Sequence, residues 1–173
     1  MKTYKGKFTP KNLKKYKGDY TKITYRSLWE RQTFRWIDSN PSIIEWNSEE
    51  VIIPYRCGTD GKMHRYFIDV FFKTKDGKKY LIEIKPDKQT RPPTGTKKTR
   101  RFITESLTYI KNQSKWEAAN KFASDNNCYF QIWTEHTLEG LGIKLLMNKK
   151  PKGKILKPLV RKKRKPTVKK KKD

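Results

Sequence analysis

Apolar residues fall in short blocks along the chain, and the period of each block predicts an element. From Thr24 to Asn40 the spacing is helical. Thr24 or Ser27 is available as N-cap, Pro41 follows the stop, and Ile23, Ser27, Glu30, Phe34 and Ile37 share one stripe. Glu50–Tyr55, His64–Thr74 and Lys79–Lys85 read as three consecutive antiparallel strands. The last two are joined by Lys75-Asp76-Gly77-Lys78, whose Asp-Gly pair is a hairpin signal.

A loop rich in proline and basic residues over 86–100 leads into a long helical pattern from about Thr99 to Asn126, with Ile103, Leu107 and Ile110 expected to begin its buried stripe. Cys128–Trp133 reads as a fourth strand. Thr137–Leu146 is expected to close the domain with a short helix or turn and a last strand. The predicted class is α/β: a helix, a three-stranded antiparallel meander, a helix and a further strand.

The flanks differ from this core. Residues 1–22 are rich in Lys, Tyr and Gly and read as an extended basic arm. Beyond Asn148 the chain is mostly Lys, Arg and Pro, so 149–173 is expected to be a disordered tail, leaving 23–148 as the folded domain. That tail carries about half of the formal net charge of +26.

So much self-repulsion implies a polyanionic partner, with nucleic acid as the default. An anionic membrane is the rival, but the basic residues do not line the polar face of an apolar-faced helix. No run approaches the roughly 18 apolar residues of a membrane span, nor does the N-terminus carry a secretory signal. Cys57 and Cys128 are far apart and lie in no CxxC or Cys/His pattern, so the spacing supports neither a disulfide framework nor a zinc site. His64 and His136 read as structural or surface groups.

Three acids and one base stand out. Asp69 interrupts the apolar run Tyr66-Phe67-Ile68-Asp69-Val70-Phe71-Phe72, where a carboxylate needs a compensating partner: a hydrogen-bond network, a proton or a divalent cation. Glu83 and Lys85 lie two apart on the next strand and so share a face, opposite Ile82 and Ile84. Neighbouring strands are ~4.8 Å apart, which brings Asp69 within reach of Glu83 in a suitable register. Glu30 turns a carboxylate inward from the first helix. Such a set suits phosphodiester hydrolysis, with carboxylates holding Mg²⁺ and a lysine orienting or activating the nucleophile.

Each member also has a structural alternative. Asp69 can be satisfied by Arg65 or a backbone donor, Glu83 and Lys85 can form a solvent-facing charge pair, and Glu30 can pair with Arg26 on an exposed helix face. Lys97, Lys98, Arg100 and Arg101 are candidate phosphate-gripping residues, or simply a solvated basic loop. The tryptophans read as packing residues rather than base-stacking platforms.

An isolated acid on one strand, E-x-K on the next and an acidic helix before them resemble the PD-(D/E)XK nucleases. The resemblance implies a restriction-endonuclease-like core in which Asp69, Glu83 and Glu30 are metal ligands for Mg²⁺ or Mn²⁺ and Lys85 acts on the water. Ile68 stands where the name-giving proline would be.

Lys22-Ile23-Thr24-Tyr25-Arg26-Ser27-Leu28-Trp29-Glu30, Ser48-Glu49-Glu50-Val51-Ile52-Ile53-Pro54-Tyr55, Arg65-Tyr66-Phe67-Ile68-Asp69 and Trp116-Glu117-Ala118-Ala119 further resemble head-completion nucleases of T-even-type phages, and more distantly TnsA-type transposon endonucleases. This likeness covers about residues 1–148. It implies DNA processing at the filled phage head in the host cytoplasm, with portal, neck or capsid proteins as partners and virion association as an extension. A non-catalytic DNA-binding joining protein and a junction-resolving nuclease are the alternatives.

Overall fold

A computed structural model describes residues 4–95 and 99–145. Its centre is a four-stranded sheet in the order β3 (Ile43–Asn47), β6 (Val70–Thr74), β7 (Lys79–Ile84), β8 (Tyr129–Trp133). The first three strands are antiparallel and β8 joins β7 in parallel, after the crossover helix α2 (Arg100–Asp125).

Both faces of the sheet are covered, and the period of two along each strand sorts the residues between them. One cluster packs Ile43, Trp46, Val70, Phe72, Ile82, Ile84 and Trp133 with Phe34 and Ile37 of α1 (Leu28–Ser39) and Leu138 of α3 (Glu135–Gly140). The other gathers Leu81, Ala119 and Ala123 of α2, and Ile53, Tyr55, Tyr66 and Ile68. Those last four belong to, or immediately follow, a separate hairpin of β4 (Ile52–Arg56) and β5 (Met63–Phe67). Gly58, in its turn, donates its N–H to Ser114 Oγ of α2 at 3.0 Å, which ties the hairpin to that helix.

The meander is therefore present with a different first strand. Its opening member is β3, which the period along 43–47 did not single out, whereas the predicted strand at 50–55 pairs outside the central sheet. The predicted strand 64–74 is two strands, β5 and β6, in different sheets and broken at Ile68-Asp69.

The first helix begins later than its pattern, at Leu28, because Ser27 Oγ accepts the Glu30 N–H at 3.1 Å and caps it. Thr24 and Tyr25 instead form β2, paired with Gly6 and Lys7 of β1. The 4–22 segment packs on the domain, with Phe8 and Tyr16 in the first cluster. Asp38, buried at the end of α1, accepts N–H bonds from Lys11 at 2.8 Å and Asn12 at 3.1 Å.

Ile103, Leu107 and Ile110 do not begin a buried stripe: they are 49%, 49% and 42% exposed. The buried positions of α2 are Asn112, Trp116, Ala119 and Ala123, because only the second half of this long helix lies against the other elements. The expected closing helix is α3, and no strand follows it among the described residues up to 145. The tail at 149–173 lies outside the described residues, as do Lys97 and Lys98. Among the described residues no helix is long and apolar enough to cross a membrane.

Candidate active site

The strand break at Ile68-Asp69 positions the site. Val70 pairs with Ile82, so Asp69 lies across from Glu83 at the end of the β6–β7 ladder. There Asp69 Oδ2 accepts the Ile84 N–H at 2.8 Å, taking the place of a backbone carbonyl. A backbone donor thus satisfies one oxygen of Asp69. Arg65 does not: its guanidinium stands over the Phe67 ring, 5.6 Å from the centroid.

Glu83 is 1% exposed, which rules out a solvent-facing charge pair. Tyr66 donates its hydroxyl to Glu83 Oε2 at 2.7 Å, and the Lys85 ammonium lies 2.9 Å from Oε1. The same-face relation of residues 83 and 85 is therefore realised as a direct ion pair. Tyr66 is a site residue that sequence reasoning passed over. Its signal was positional: it points inward from β5 three residues before Asp69.

The electrostatics follow from crowding like charges in a recess. Burial, reinforced by the neighbouring Glu83 carboxylate, holds the Asp69 carboxyl well above the usual carboxylate range, against the opposing pull of Lys85. Burial acts to lower the pKa of Lys85, but the carboxylates of Glu83 and Asp69 outweigh it and the net shift is upward. Lys85 is accordingly an ammonium here. The Tyr66 hydroxyl is also pushed up, first by burial and then by the Glu83 charge.

Glu30 is turned inward but occupied. Its Oε2 accepts the Arg26 N–H at 2.6 Å and its Oε1 accepts Ser27 Oγ–H at 2.8 Å, a capping box at the head of α1. The Arg26 side chain reaches Glu49 instead, at 2.9 and 3.1 Å. Burial raises the Glu30 carboxyl pKa even against these hydrogen bonds. Glu30 is near enough to act electrostatically on Asp69 and Lys85. Even so, Glu30, Asp69 and Glu83 do not each bring an oxygen within 4.8 Å of the others.

The donor set fits a hard divalent cation in its chemistry. Asp69 and Glu83 are neighbouring carboxylates with one ammonium, paired to Glu83, and burial followed by the Glu83 charge raises the Asp69 carboxyl. A different set, Cys57 Sγ, a carboxylate oxygen of Asp60 and a ring nitrogen of His64, does lie within 4.8 Å in the β4–β5 turn, although their spacing gave no zinc pattern. These atoms already have partners: His64 Nε2 is 2.9 Å from Asp60 Oδ2 and Cys57 Sγ is 3.0 Å from Thr59 Oγ1, a network that closes the turn.

Of the basic loop candidates, Arg100 is exposed at the start of α2 and Arg101 is held by Glu105 at 3.0 Å. Between this helix start and loop 87–95 runs a large open groove, lined by Lys88, Arg91, Arg101 and Phe102 and separate from the acid cluster.

The α/β core, with its acid at a strand break and E-x-K on the next strand, is of the restriction-endonuclease-like type, and the chain belongs to the TnsA-like endonuclease family. The pattern of that family, described as TnsA-like endonuclease N terminal, matches residues 40–135, which include Asp69, Glu83 and Lys85 but not Glu30. The chain is also 47% identical over 146 residues to the head completion nuclease of Enterobacteria phage T4, covering 82% of this chain and 97% of that protein.

Proposed function

We propose that this protein is a metal-dependent DNA endonuclease that hydrolyses phosphodiester bonds with Mg²⁺ or Mn²⁺ at Asp69 and Glu83. The observation that carries the reading is the buried Glu83 carboxylate, fixed by Tyr66 and Lys85 beside an Asp69 whose own charge lacks sufficient compensation. A divalent cation bound there would polarise a phosphate and acidify water. Glu30 is read as an auxiliary acid at the edge of the set.

The protein's own groups divide the remaining work. Tyr66 and Lys85 fix the orientation of Glu83. Lys85, paired with Glu83, positions or activates the attacking water. Arg100, Arg101, Lys97, Lys98 and the basic tail are read as further phosphate contacts, with affinity that falls steeply with salt.

The similarity to a head completion nuclease supports reading this activity as part of phage head completion. There it would trim packaged DNA before head-tail joining in the host cytoplasm, beside portal, neck or capsid proteins and with the option of remaining in the virion. The test is incubation of duplex DNA with Mg²⁺ and wild type, Asp69→Ala or Lys85→Ala. Wild type should cut and both variants should fall to background; equal cutting by all three would assign the activity to a contaminant.

A further inference from the structure

Lys115 lies on α2 one turn before Ala119, which packs against the sheet face that carries Leu81. Its ammonium stands over the Tyr66 ring, 5.0 Å from the centroid, and the hydroxyl of that ring is the one bonded to Glu83. Lys115 is therefore an aromatic ring's length from the acid cluster.

The side chain is half-buried, and among the described residues it forms no hydrogen bond or ion pair. Lys111, one turn earlier, is likewise unpaired but exposed, whereas Lys115 is recessed. Lys85 is paired with Glu83, and on the same helix Arg101 and Lys121 are paired with Glu105 and Asp125. A recessed ammonium that stands over a ring and pairs with neither nearby carboxylate is costly unless an anion joins it.

Its neighbours on the helix also lack acceptors. The Asn112 Nδ2 amide, one turn earlier, and the Trp116 indole N–H, the next residue, are buried without a partner. Among the described residues those two buried donors have no acceptor, and for the accessible Lys115 a phosphodiester offers an acceptor and negative charge together.

We propose that Lys115 holds a non-bridging oxygen of the DNA phosphate at the acid cluster, providing the free positive charge that Lys85, already paired with Glu83, does not. The inference rests on the nuclease reading above. The Tyr66 ring carries Lys115 over its face and Glu83 at its hydroxyl, so a phosphate at the acids would present its charge toward α2. Lys115 thus touches substrate, while Tyr66 spaces the ammonium from the carboxylate so that the two do not simply pair.

The experiment compares wild type, Lys115→Met, Lys115→Arg and Asp69→Asn by single-turnover cleavage of saturating duplex DNA in Mg²⁺, by the salt dependence of metal-free DNA binding, and by thermal melting. Lys115→Met should cleave about 100-fold more slowly. Its log–log salt slope should fall by about one phosphate contact, ~0.9, with melting no lower than wild type because an uncompensated charge is removed, and Lys115→Arg should recover most of both losses.

Lys115→Met matching wild type in rate and slope, while Asp69→Asn is inactive, overturns the role of Lys115 and leaves the nuclease reading standing. Wild type and Asp69→Asn behaving alike removes the nuclease reading itself, and this inference with it. A lower melting temperature in Lys115→Met that Lys115→Arg does not restore assigns Lys115 to packing on Tyr66 and also overturns the proposal.

Discussion

Tyr66 donates a 2.7 Å hydrogen bond to Oε2 of the buried Glu83, so a residue of the β4–β5 hairpin holds a carboxylate of the central sheet. The hairpin is thus part of the site's construction and not only a cover for α2. Tyr66→Phe keeps the ring beneath Lys115 but leaves a buried carboxylate oxygen short of a donor. Loss of a hydrogen bond to a charged group costs about 1.5–3 kcal/mol, so urea unfolding should show destabilisation of that order. Cleavage should fall as well, since Glu83 loses its fixed orientation. Unchanged activity in Tyr66→Phe would show that Lys85 alone suffices to hold Glu83.

Glu30 serves two roles that substitution can separate. Its carboxylate completes the capping box with Ser27 and the Arg26 N–H. A glutamine keeps one oxygen to accept the Arg26 N–H and can turn its amide N–H toward Ser27 Oγ, whereas an alanine offers neither. Glu30→Ala should therefore lose about 1 kcal/mol of stability, while Glu30→Gln stays near wild type. If Glu30 also supports the metal from the edge, Glu30→Gln should lower cleavage by about 10–100-fold, less than Asp69→Ala does. Full activity in Glu30→Gln would reduce its role to the helix cap.

The contrast between Glu30 and Glu83 shows how far the sequence could be read. Glu83 and Lys85 sat on a strand whose period of two fixed their relation, and the pair is there at 2.9 Å. Asp69 was visible as a carboxylate in an apolar run, but that run hid a break: β5 and β6 have no turn residues between them, and the change of sheet at Ile68-Asp69 leaves no mark in hydrophobicity. For the same reason β3 was missed, since Ile43 and Trp46 are buried while Ile44 is 41% exposed, and a bulge between Ile43 and Glu45 spoils the alternation. Along α2 the helical period was correct and the burial was not. Periodicity reports a face, not whether another element reaches it, and Ile103, Leu107 and Ile110 lie on the half that extends past the sheet. Lys115 carried no local signal, because its partner Tyr66 is 49 positions earlier in the chain.

A buried acid outside the site makes a control for these comparisons. Asp38 accepts the N–H groups of Lys11 and Asn12 through Oδ2, and the Trp46 indole N–H through Oδ1 at 3.3 Å. It fastens the N-terminal segment to α1 and to β3. Asp38→Ala removes the acceptor of the buried Trp46 indole and of the Lys11 and Asn12 N–H groups and should cost about 1–3 kcal/mol, as loss of one partner of a buried hydrogen bond does. Limited proteolysis should then cut first within residues 4–22. Per folded molecule, cleavage of DNA should stay close to wild type, because Asp38 touches none of Asp69, Glu83 or Lys85. A variant that stays as protease-resistant as wild type would show that the β1–β2 pairing and the packing of Phe8 and Tyr16 hold the segment without Asp38.

Asp69 should behave in the opposite sense, destabilising the fold that it serves. Its folded-state pKa lies above the unfolded value, chiefly through burial and then through the Glu83 charge. The folded protein therefore binds the proton more tightly than the unfolded chain does. The charged carboxylate costs stability at pH above the folded-state value, and that cost disappears as pH falls to the unfolded one. Asp69→Asn removes the charge while an amide oxygen can still accept the Ile84 N–H, so in EDTA at neutral pH the variant should melt above wild type. Divalent metal should reverse the order. Binding to the folded state raises wild-type stability by RT ln(1 + [L]/Kd), a term that Asp69→Asn largely loses. Melting curves with EDTA, Mg²⁺ and Mn²⁺ should thus cross between the two proteins. If Asp69→Asn melts lower in EDTA, the acid is a structural group satisfied by its backbone bond, and the case for a cation between Asp69 and Glu83 loses its electrostatic basis.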